Sequence, residues 1–267
     1  MAWFWNKKRI YLDYAAATPV RDEALAAMHE AEKAFGNPGA LHQDGIAAME
    51  ILERAREAVA RTLQCRAQEL IFTGGGTEGN NLAIFGSVVA TQNDLAKSDF
   101  ARLHTVVSAI EHPSVLEPIA ALEKWGAKVS RVMPDKHGQI RPEAIASVLT
   151  KETKLVSVGW ANSEIGVVQP LSAIAKVIRE HEAKHGTKII FHTDAGQAPL
   201  YIKSTVRSLG VDLMTLDSGK LYGPRGIGAL FIRHGVELRP TQFGGGQERG
   251  LRPGTENVVL AAGMAGG

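Results

Sequence analysis

Seven short runs of apolar residues alternate along the chain with segments of helical periodicity. The runs are rich in Val, Ile and Leu, and they occupy residues 69–73, 104–109, 127–132, 154–160, 188–193, 211–216 and 227–232. Runs of this kind predict strands that are buried on both faces. Because helical segments lie between most of them, the pattern favours an α/β fold with a mostly parallel central sheet and helices on both faces.

Three segments carry helix signals. Apolar residues within 48–63 repeat at spacings of three and four, which predicts a helix with one face against the sheet. A similar pattern begins at Leu171 and should end before Gly186, since glycine is favoured directly after a helix. Ser114, with Glu117 three positions later, is expected to form a capping box at the start of a third helix.

Composition and charge are those of an ordinary globular protein. The 267 residues are 45% hydrophobic and 22% charged, which is enough for one large core. Thirty basic residues against 28 acidic ones give a net charge of +2 without long runs of either sign, so we expect no nucleic-acid or membrane partner. The single Cys65 cannot form an intrachain disulfide, and residues 1–9 lack the apolar stretch of a signal peptide, so a cytoplasmic location is expected.

A glycine-rich turn at residues 72–81 follows the first predicted strand and opens a helix. Its glycines let the main chain approach an anion closely, and the amide groups at the helix start can bind a phosphate. The turn lacks the lysine of a nucleotide-binding P-loop and the spacing of a dinucleotide-binding motif. A flexible turn without a ligand explains this segment, taken alone, equally well.

A lysine and an aspartate follow two of the later strands. Lys220 stands in a second glycine-rich turn after the run 211–216, and Asp194 comes just after the run 188–193. Ligands of such sheets gather at the carboxyl ends of the strands. A lysine amine can form a Schiff base, and a carboxylate can hold a pyridinium nitrogen, so the pair indicates pyridoxal-phosphate chemistry. An exposed lysine and a helix-capping aspartate are the structural alternatives.

The ordered motifs together resemble those of cysteine desulfurases, the class V aminotransferase-like branch of the fold-type I pyridoxal-phosphate enzymes. The resemblance covers nearly the whole chain and is carried by Lys220 and by residues 11–19, 35–38, 72–81, 111–112, 162–166, 194–197 and 244–250. It implies the large domain of a fold-type I transferase at residues 19–267, preceded by an N-terminal segment at 1–18. Residues 261–267 look like the start of a helix that is cut off, so the small C-terminal domain is expected to be absent.

The resemblance also implies a site for pyridoxal 5'-phosphate. Lys220 resembles the lysine that binds the cofactor and later moves the substrate α-proton, and His112 resembles the ring that stacks on the pyridine. Asp194 would keep the pyridine nitrogen protonated. The other implied ligands are Asn162 and Gln197 at the phenolic oxygen, and Gly76, Thr77 and, across a homodimer interface, Thr255 at the phosphate. Taken singly, His112, Asn162, Gln197 and Thr255 are equally consistent with structural or solvent-exposed roles.

Two positions in the lysine motif depart from the family. Asp217 and Gly219 stand where the family usually offers a serine and a histidine to the phosphate. An aspartate repels a nearby phosphate, so Asp217 must point away, be paired, or be offset by Ser218 and backbone amides. The family's persulfide-forming cysteine lies well downstream of the lysine, and Cys65 is not expected to replace it.

The implied function is that of a cysteine desulfurase, which takes sulfur from L-cysteine, leaves alanine, and passes an enzyme persulfide to a sulfur-acceptor protein. The resemblance further implies that this chain ends before the catalytic cysteine. Selenocysteine lyase and class V aminotransferase stay open as alternatives, because they share the lysine, the aspartate and the phosphate loop. A catalytically incomplete cofactor-binding scaffold is the alternative from a different class.

Overall fold

The structure, a computed structural model, describes residues 10–90, 100–202 and 205–267. The signal-peptide prediction concerns residues 1–9, which lie outside this part of the chain. The strands are β1 (Leu70–Thr73), β2 (His104–Ser108), β3 (Lys128–Val132), β4 (Thr153–Ser157), β5 (Ile190–Asp194), β6 (Leu213–Asp217) and β7 (Gly228–Ile232). The helices of the described residues are α1 (Asp22–Ala31), α2 (Gln43–Leu63), α3 (Gly76–Ala90), α4 (Pro113–Lys124), α5 (Pro142–Val148), α6 (Leu171–His185), α7 (Ala198–Tyr201), α8 (Val206–Leu209) and α9 (Val258–Gly266).

The seven strands form one sheet in the order β1-β7-β6-β5-β4-β2-β3. The pairs β2–β3, β2–β4, β4–β5 and β5–β6 are parallel, whereas β7 runs antiparallel to both β1 and β6. Each predicted apolar run overlaps one of these strands, so the prediction of a mostly parallel α/β sheet is confirmed. The parallel strands all present their carboxyl ends at one edge, where the segments with the motif residues begin.

The sheet is buried on both faces by two apolar cores. Alternate residues of a strand point to opposite faces. Val106 and Met214 therefore lie in one core, together with apolar residues of α2, α6 and α9. Their neighbours Val107 and Leu213 lie in the other, with apolar residues of α3 and α4. Burial on both sides explains why the strands read in sequence as continuous Val, Ile and Leu runs.

The end of one helix matches its sequence signal, and the start of another does not. Helix α6 ends at Gly186, whose φ of 63° is a left-handed conformation that favours glycine. The predicted capping box of Ser114 and Glu117 is wrong. Helix α4 already begins at Pro113, because proline lacks an N–H and has a helical φ, and it therefore suits the first helical position. His112 is the capping residue, and its Nδ1 accepts from the Ser114 N–H at 3.1 Å.

Helix α9 contains most of the segment 261–267 that was expected to be helical. It begins at Val258 after Asn257, whose side chain accepts from the Leu260 N–H at 2.9 Å. The helix packs against α1 and α2. Among the described residues, no helix combines the length and the apolar character that crossing a membrane requires.

Candidate active site

A cavity of about 290 Å³ lies at the carboxyl ends of β2, β4, β5 and β6. Its walls are the segments that follow these strands, which is where parallel sheets collect their ligands. Five of the residues expected from the motifs line it: His112, Asn162, Asp194, Gln197 and Lys220. The fold therefore brings together side chains that are up to 108 positions apart in the chain, counting from His112 to Lys220.

Asp194 and Lys220 flank one glycine in this cavity. A Cβ placed on Gly196 would lie 3.2 Å from Asp194 Oδ1 and 3.8 Å from Lys220 Cδ. The Gly196 N–H donates to Asp194 Oδ1 at 2.9 Å, which holds the carboxylate at the end of β5. Asp194 does not cap a helix, since Gln197 is the residue that precedes α7. The carboxylate and the amine thus lie on either side of the same short turn.

Asp194 is also joined to His112 through Asn80 and Ser114, two residues for which the sequence predicted no role in the site. The Asn80 Nδ2 group donates to Asp194 Oδ2 at 2.7 Å and to Ser114 Oγ at 2.8 Å. Ser114 Oγ lies 2.7 Å from His112 Nδ1. Because Nδ1 also accepts the Ser114 N–H, a neutral His112 carries its proton on Nε2. This Asn80–Ser114 bridge fixes the orientation of the carboxylate and the tautomer of the imidazole together.

The bridge gives a prediction about stability. Replacing Asn80 with alanine should lower the free energy of unfolding by about 1–3 kcal/mol, because the buried Asp194 and Ser114 oxygens lose their shared donor. Urea denaturation measures this change. Asn81 is the matched control, since it is less buried than Asn80 and its side chain donates to the nearby Thr77 carbonyl of the same helix. Asn81→Ala should change the stability by less than about 0.5 kcal/mol, and equal losses in both variants would contradict the bridge.

Two ionisable groups beside Asp194 have displaced pKa values. Burial raises the pKa of Glu111 from 4.5 to about 7, and the Asp194 charge adds to this, although hydrogen bonds from the Gly159 N–H and the Ser108 hydroxyl oppose it. Burial lowers the pKa of His192 from 6.5 to about 4, against the attraction of Asp194. His192 contacts Ser157 and Thr215 through its two ring nitrogens. Asp194 therefore lies near two buried groups whose charged forms are disfavoured, the Glu111 carboxyl and the His192 imidazole.

These displacements predict opposite pH dependences of folding stability. The contribution of Glu111 to the free energy of unfolding is fully present below pH 4.5 and is lost as the pH rises through about 7. The His192 contribution is present above pH 6.5 and is lost as the pH falls through about 4. Glu111→Gln should therefore stabilise the protein relative to wild type above pH 7, by at most about 3 kcal/mol. Denaturation curves measured across this pH range test the prediction. The control is His192→Asn, whose stability relative to wild type should instead increase at the acidic end of the range.

The glycine-rich turn leading into α3 is already bound to a carboxylate. Asp217 Oδ2 accepts from the Gly76 N–H at 2.9 Å, although the two residues are 141 positions apart. Thr77, in the first turn of α3, is exposed. Ser218 is fully buried against Gly223, and its hydroxyl has no hydrogen-bond partner among the described residues. Of the three possibilities considered for Asp217, the structure shows pairing with a backbone amide.

A second carboxylate holds the other end of the same turn. Glu78 Oε2 accepts from the Gly74 N–H at 2.9 Å, and Glu78 Oε1 accepts from Arg252 Nε at 3.0 Å. The Arg252 side chain thereby connects the turn to the segment that carries Thr255. Thr255 itself is exposed and does not line the cavity of the single chain. Its expected role across a homodimer interface stays a prediction.

The polar atoms of Asn162 and Gln197 are engaged in local contacts. Asn162 Oδ1 accepts from two following amides at 2.9 and 3.1 Å, and its Nδ2 donates to the Ile110 carbonyl at 3.0 Å. These bonds stabilise a turn, which is a structural role of the kind that the sequence left open for Asn162. Gln197 Nε2 donates to the Ala15 carbonyl, which joins the N-terminal segment to the site. Contacts of either residue with a ligand stay predictions.

Cys65 lies away from the cavity, at the end of α2. Burial raises the pKa of its thiol to about 11, and the nearby Glu69 charge adds to the effect. The thiol is thus protonated at neutral pH and a poor nucleophile. This agrees with the expectation that Cys65 does not take the place of a catalytic cysteine.

Comparison with known proteins decides the family. Residues 10–266 match the family described as Aminotransferase class-V. The chain belongs to the class-V aminotransferases. Among curated class-V relatives, cysteine desulfurase IscS of Dictyoglomus turgidum is 40% identical over 259 residues, and IscS 1 of Archaeoglobus fulgidus is 38% identical over 255 residues. These alignments cover 97% and 95% of this chain but 62% and 63% of the relatives, so the chain spans less than two thirds of their length.

Solved structures of class-V proteins confirm the fold. A structure of SspA in complex with cysteine superposes with a TM-score of 0.88 at 36% identity, covering 96% of this chain and 71% of that one. A NifS-like protein gives a TM-score of 0.89 at 34% identity, covering 97% and 68%. The predicted fold-type I architecture of pyridoxal-phosphate enzymes is therefore correct, as is the resemblance to cysteine desulfurases.

Proposed function

We propose that this chain binds pyridoxal 5'-phosphate and belongs to an enzyme that removes sulfur from L-cysteine. The observation that supports this most directly is the placement of Lys220 and Asp194 on either side of Gly196, in one cavity. An amine and a carboxylate so arranged are the two groups that this cofactor requires of a protein. The relatives that are named cysteine desulfurases support the choice of reaction.

The residues present fit the cofactor at both of its ends. Asp194, Lys220 and His112 line the cavity with groups suited to a ring nitrogen, a carbonyl carbon and a ring face. At the other end, the Gly76 N–H donates to an anionic group of the chain itself, the Asp217 carboxylate. Amides at the start of α3 have no acceptor within the helix and are suited to a phosphate. We propose residues 19–267 as the cofactor-binding domain and residues 1–18 as an N-terminal segment that precedes it.

Each residue has a definite task in the proposed reaction. Pyridoxal phosphate, when bound, takes up the electron pair released at the substrate α-carbon. Lys220 Nζ would hold the cofactor and would accept the substrate α-proton. The Asp194 carboxylate, oriented by Asn80 and Gly196, keeps the ring nitrogen protonated, because an anion stabilises an adjacent cation. His112 offers an N–H at Nε2, since its Nδ1 is held by Ser114.

The sulfur must leave to an acceptor thiol. In the overall reaction the C–S bond of L-cysteine breaks, the sulfur forms a persulfide with the acceptor, and the β-carbon takes a proton to give alanine. The raised pKa of Cys65 and its distance from the cavity favour an acceptor other than Cys65. We further propose a sulfur-acceptor protein as a partner and a homodimer as the assembly, in which Thr255 reaches the phosphate of the neighbouring site.

Product analysis tests the proposed reaction. Protein that extends to the expected downstream cysteine, supplied with pyridoxal phosphate, L-cysteine and a dithiol reductant, should form alanine and sulfide in equal amounts. The same assay with selenocysteine distinguishes a lyase that prefers selenium, and transfer of the amino group to a keto acid distinguishes an aminotransferase. Binding of the cofactor with none of these products would favour the scaffold alternative over an enzyme.

A further inference from the structure

The Asp217 carboxylate lies tightly against the glycine-rich turn. A Cβ on Gly76 would come within 3.0 Å of Asp217 Oδ2 and 3.2 Å of Asp217 Cβ, so only glycine fits there without a shift. The Gly76 N–H and Asp217 Oδ2 are 2.9 Å apart, which is a good hydrogen bond. The carboxylate is thus seated on an amide at the start of α3, the kind of donor that binds phosphate oxygens.

The backbones on both sides of this contact are fixed. Asp217 is the last residue of β6 and pairs with Gly228 of β7. A Cβ on Gly228 would lie 2.8 Å from the Gly75 carbonyl carbon, so β7 backs the turn directly. These contacts leave no room for the glycine-rich turn or for β6 to move away from the other. An anion that approaches the Gly76 N–H must therefore displace the Asp217 side chain by rotation about its own bonds.

Among the described residues, no cationic side chain forms an ion pair with Asp217. Glu78, the other carboxylate on the turn, is paired with Arg252 at 3.0 Å. In the described ranges, no Lys, Arg or His nitrogen lies within the 4.0 Å ion-pair distance of the Asp217 carboxylate. A phosphate that approaches the turn therefore meets a full negative charge at close range. At such distances like charges repel by several kcal/mol where water is partly excluded.

We propose that Asp217 is an internal ligand of the glycine-rich turn that competes with the phosphate of a bound ligand. It lowers the affinity of the site for phosphorylated pyridoxal relative to the unphosphorylated aldehyde. Asp217 is thus a specificity-determining residue, and it reduces the share of binding energy that the phosphate supplies. The identity of the ligand rests on the proposed function, whereas competition for the Gly76 N–H does not.

Asp217→Asn tests the competition, because asparagine has the same shape and can still accept from Gly76 but has no charge. The dissociation constants of pyridoxal phosphate and pyridoxal are measured by absorbance titration, and that of inorganic phosphate by calorimetry. The variant should bind pyridoxal phosphate and inorganic phosphate at least about tenfold more tightly than wild type. Its affinity for pyridoxal should change less than twofold. Glu180→Gln, an exposed carboxylate of α6, changes the net charge equally and should leave all three constants unchanged.

The outcomes separate this inference from the proposed function. Unchanged affinity of Asp217→Asn for both phosphate ligands would overturn the competition, whatever the protein does with pyridoxal. If neither protein binds pyridoxal or its phosphate, the proposed function fails, and the inorganic phosphate titration still decides the role of Asp217. Asp217→Ser is the second variant should the first fold poorly, and the same tightening is expected from it.

Discussion

Replacing Lys220 with alanine should abolish exchange of the substrate α-hydrogen. Wild-type protein with pyridoxal phosphate and L-alanine or L-cysteine in deuterium oxide should exchange that hydrogen at a rate measurable by NMR. Lys220 is the amine that lines the cavity beside Asp194, and no thiol is needed for this step. Loss of a positioned proton acceptor should slow the exchange by about 10²–10⁴-fold. The assay therefore isolates proton transfer from sulfur transfer.

The matched control is another lysine of the same chain. Lys176 is an exposed residue of α6 that pairs only with Glu180 at 3.9 Å, and Lys176→Ala should exchange at the wild-type rate. Borohydride reduction followed by peptide mapping gives a second readout, since it should fix the cofactor on Lys220 in the wild type only. Exchange that persists in Lys220→Ala, or a cofactor fixed on a different lysine, would remove Lys220 from the proposed mechanism.

Replacing Glu248 with alanine should cause the largest loss of stability, about 3–5 kcal/mol. Glu248 is 6% exposed and accepts two hydrogen bonds from Arg56, at 2.7 and 2.8 Å. It also accepts the Phe72 N–H at 3.0 Å. The substitution therefore leaves a buried guanidinium and a buried amide without their acceptor, which costs more than the pair contributes when intact. Denaturant unfolding followed by circular dichroism measures the change.

Glu53 provides the control for this prediction. It contacts the same Arg56 at 3.0 Å, but its side chain is 47% exposed. Glu53→Ala should cost less than about 1 kcal/mol, since solvent-exposed ion pairs contribute little. Replacing Arg56 and Glu248 together with apolar residues of similar volume should recover much of the loss. Equal losses of unfolding free energy in Glu248→Ala and Glu53→Ala would contradict the stabilising role of the buried Arg56–Glu248 pair.

The fold and the centre of the site could be predicted because their signals are local. A strand buried on both faces is apolar throughout, so each of the seven runs was visible in sequence. The side chains that follow parallel strands must meet at one edge of the sheet. For this reason Asp194 and Lys220 could be predicted to lie in the same site. The strand ends differed by a few residues, because pairing depends on the neighbouring strand as well as on composition.

The partners of the site residues could not be predicted, because they depend on packing between distant elements. Asn80 lies in a motif that was recognised, but nothing in the sequence tells that its amide reaches both Asp194 and Ser114. A polar residue on the buried side of an otherwise apolar helix was the only available signal. The Gly76–Asp217 contact likewise joins residues from opposite ends of the domain. The predicted capping box at Ser114 was wrong because Pro113, directly before it, already occupies the first helical position.

The position of β1 at one edge of the sheet has a consequence for biosynthesis. Among the strands, β1 pairs only with β7, which begins about 150 residues later, at Gly228. While the ribosome is making the intervening chain, β1 has no partner and Arg56 lacks Glu248. Contacts over such sequence separations form slowly and leave apolar surface exposed meanwhile. We therefore expect β1 to pair only after β7 has left the ribosome, and the early apolar segments to be prone to aggregation until then.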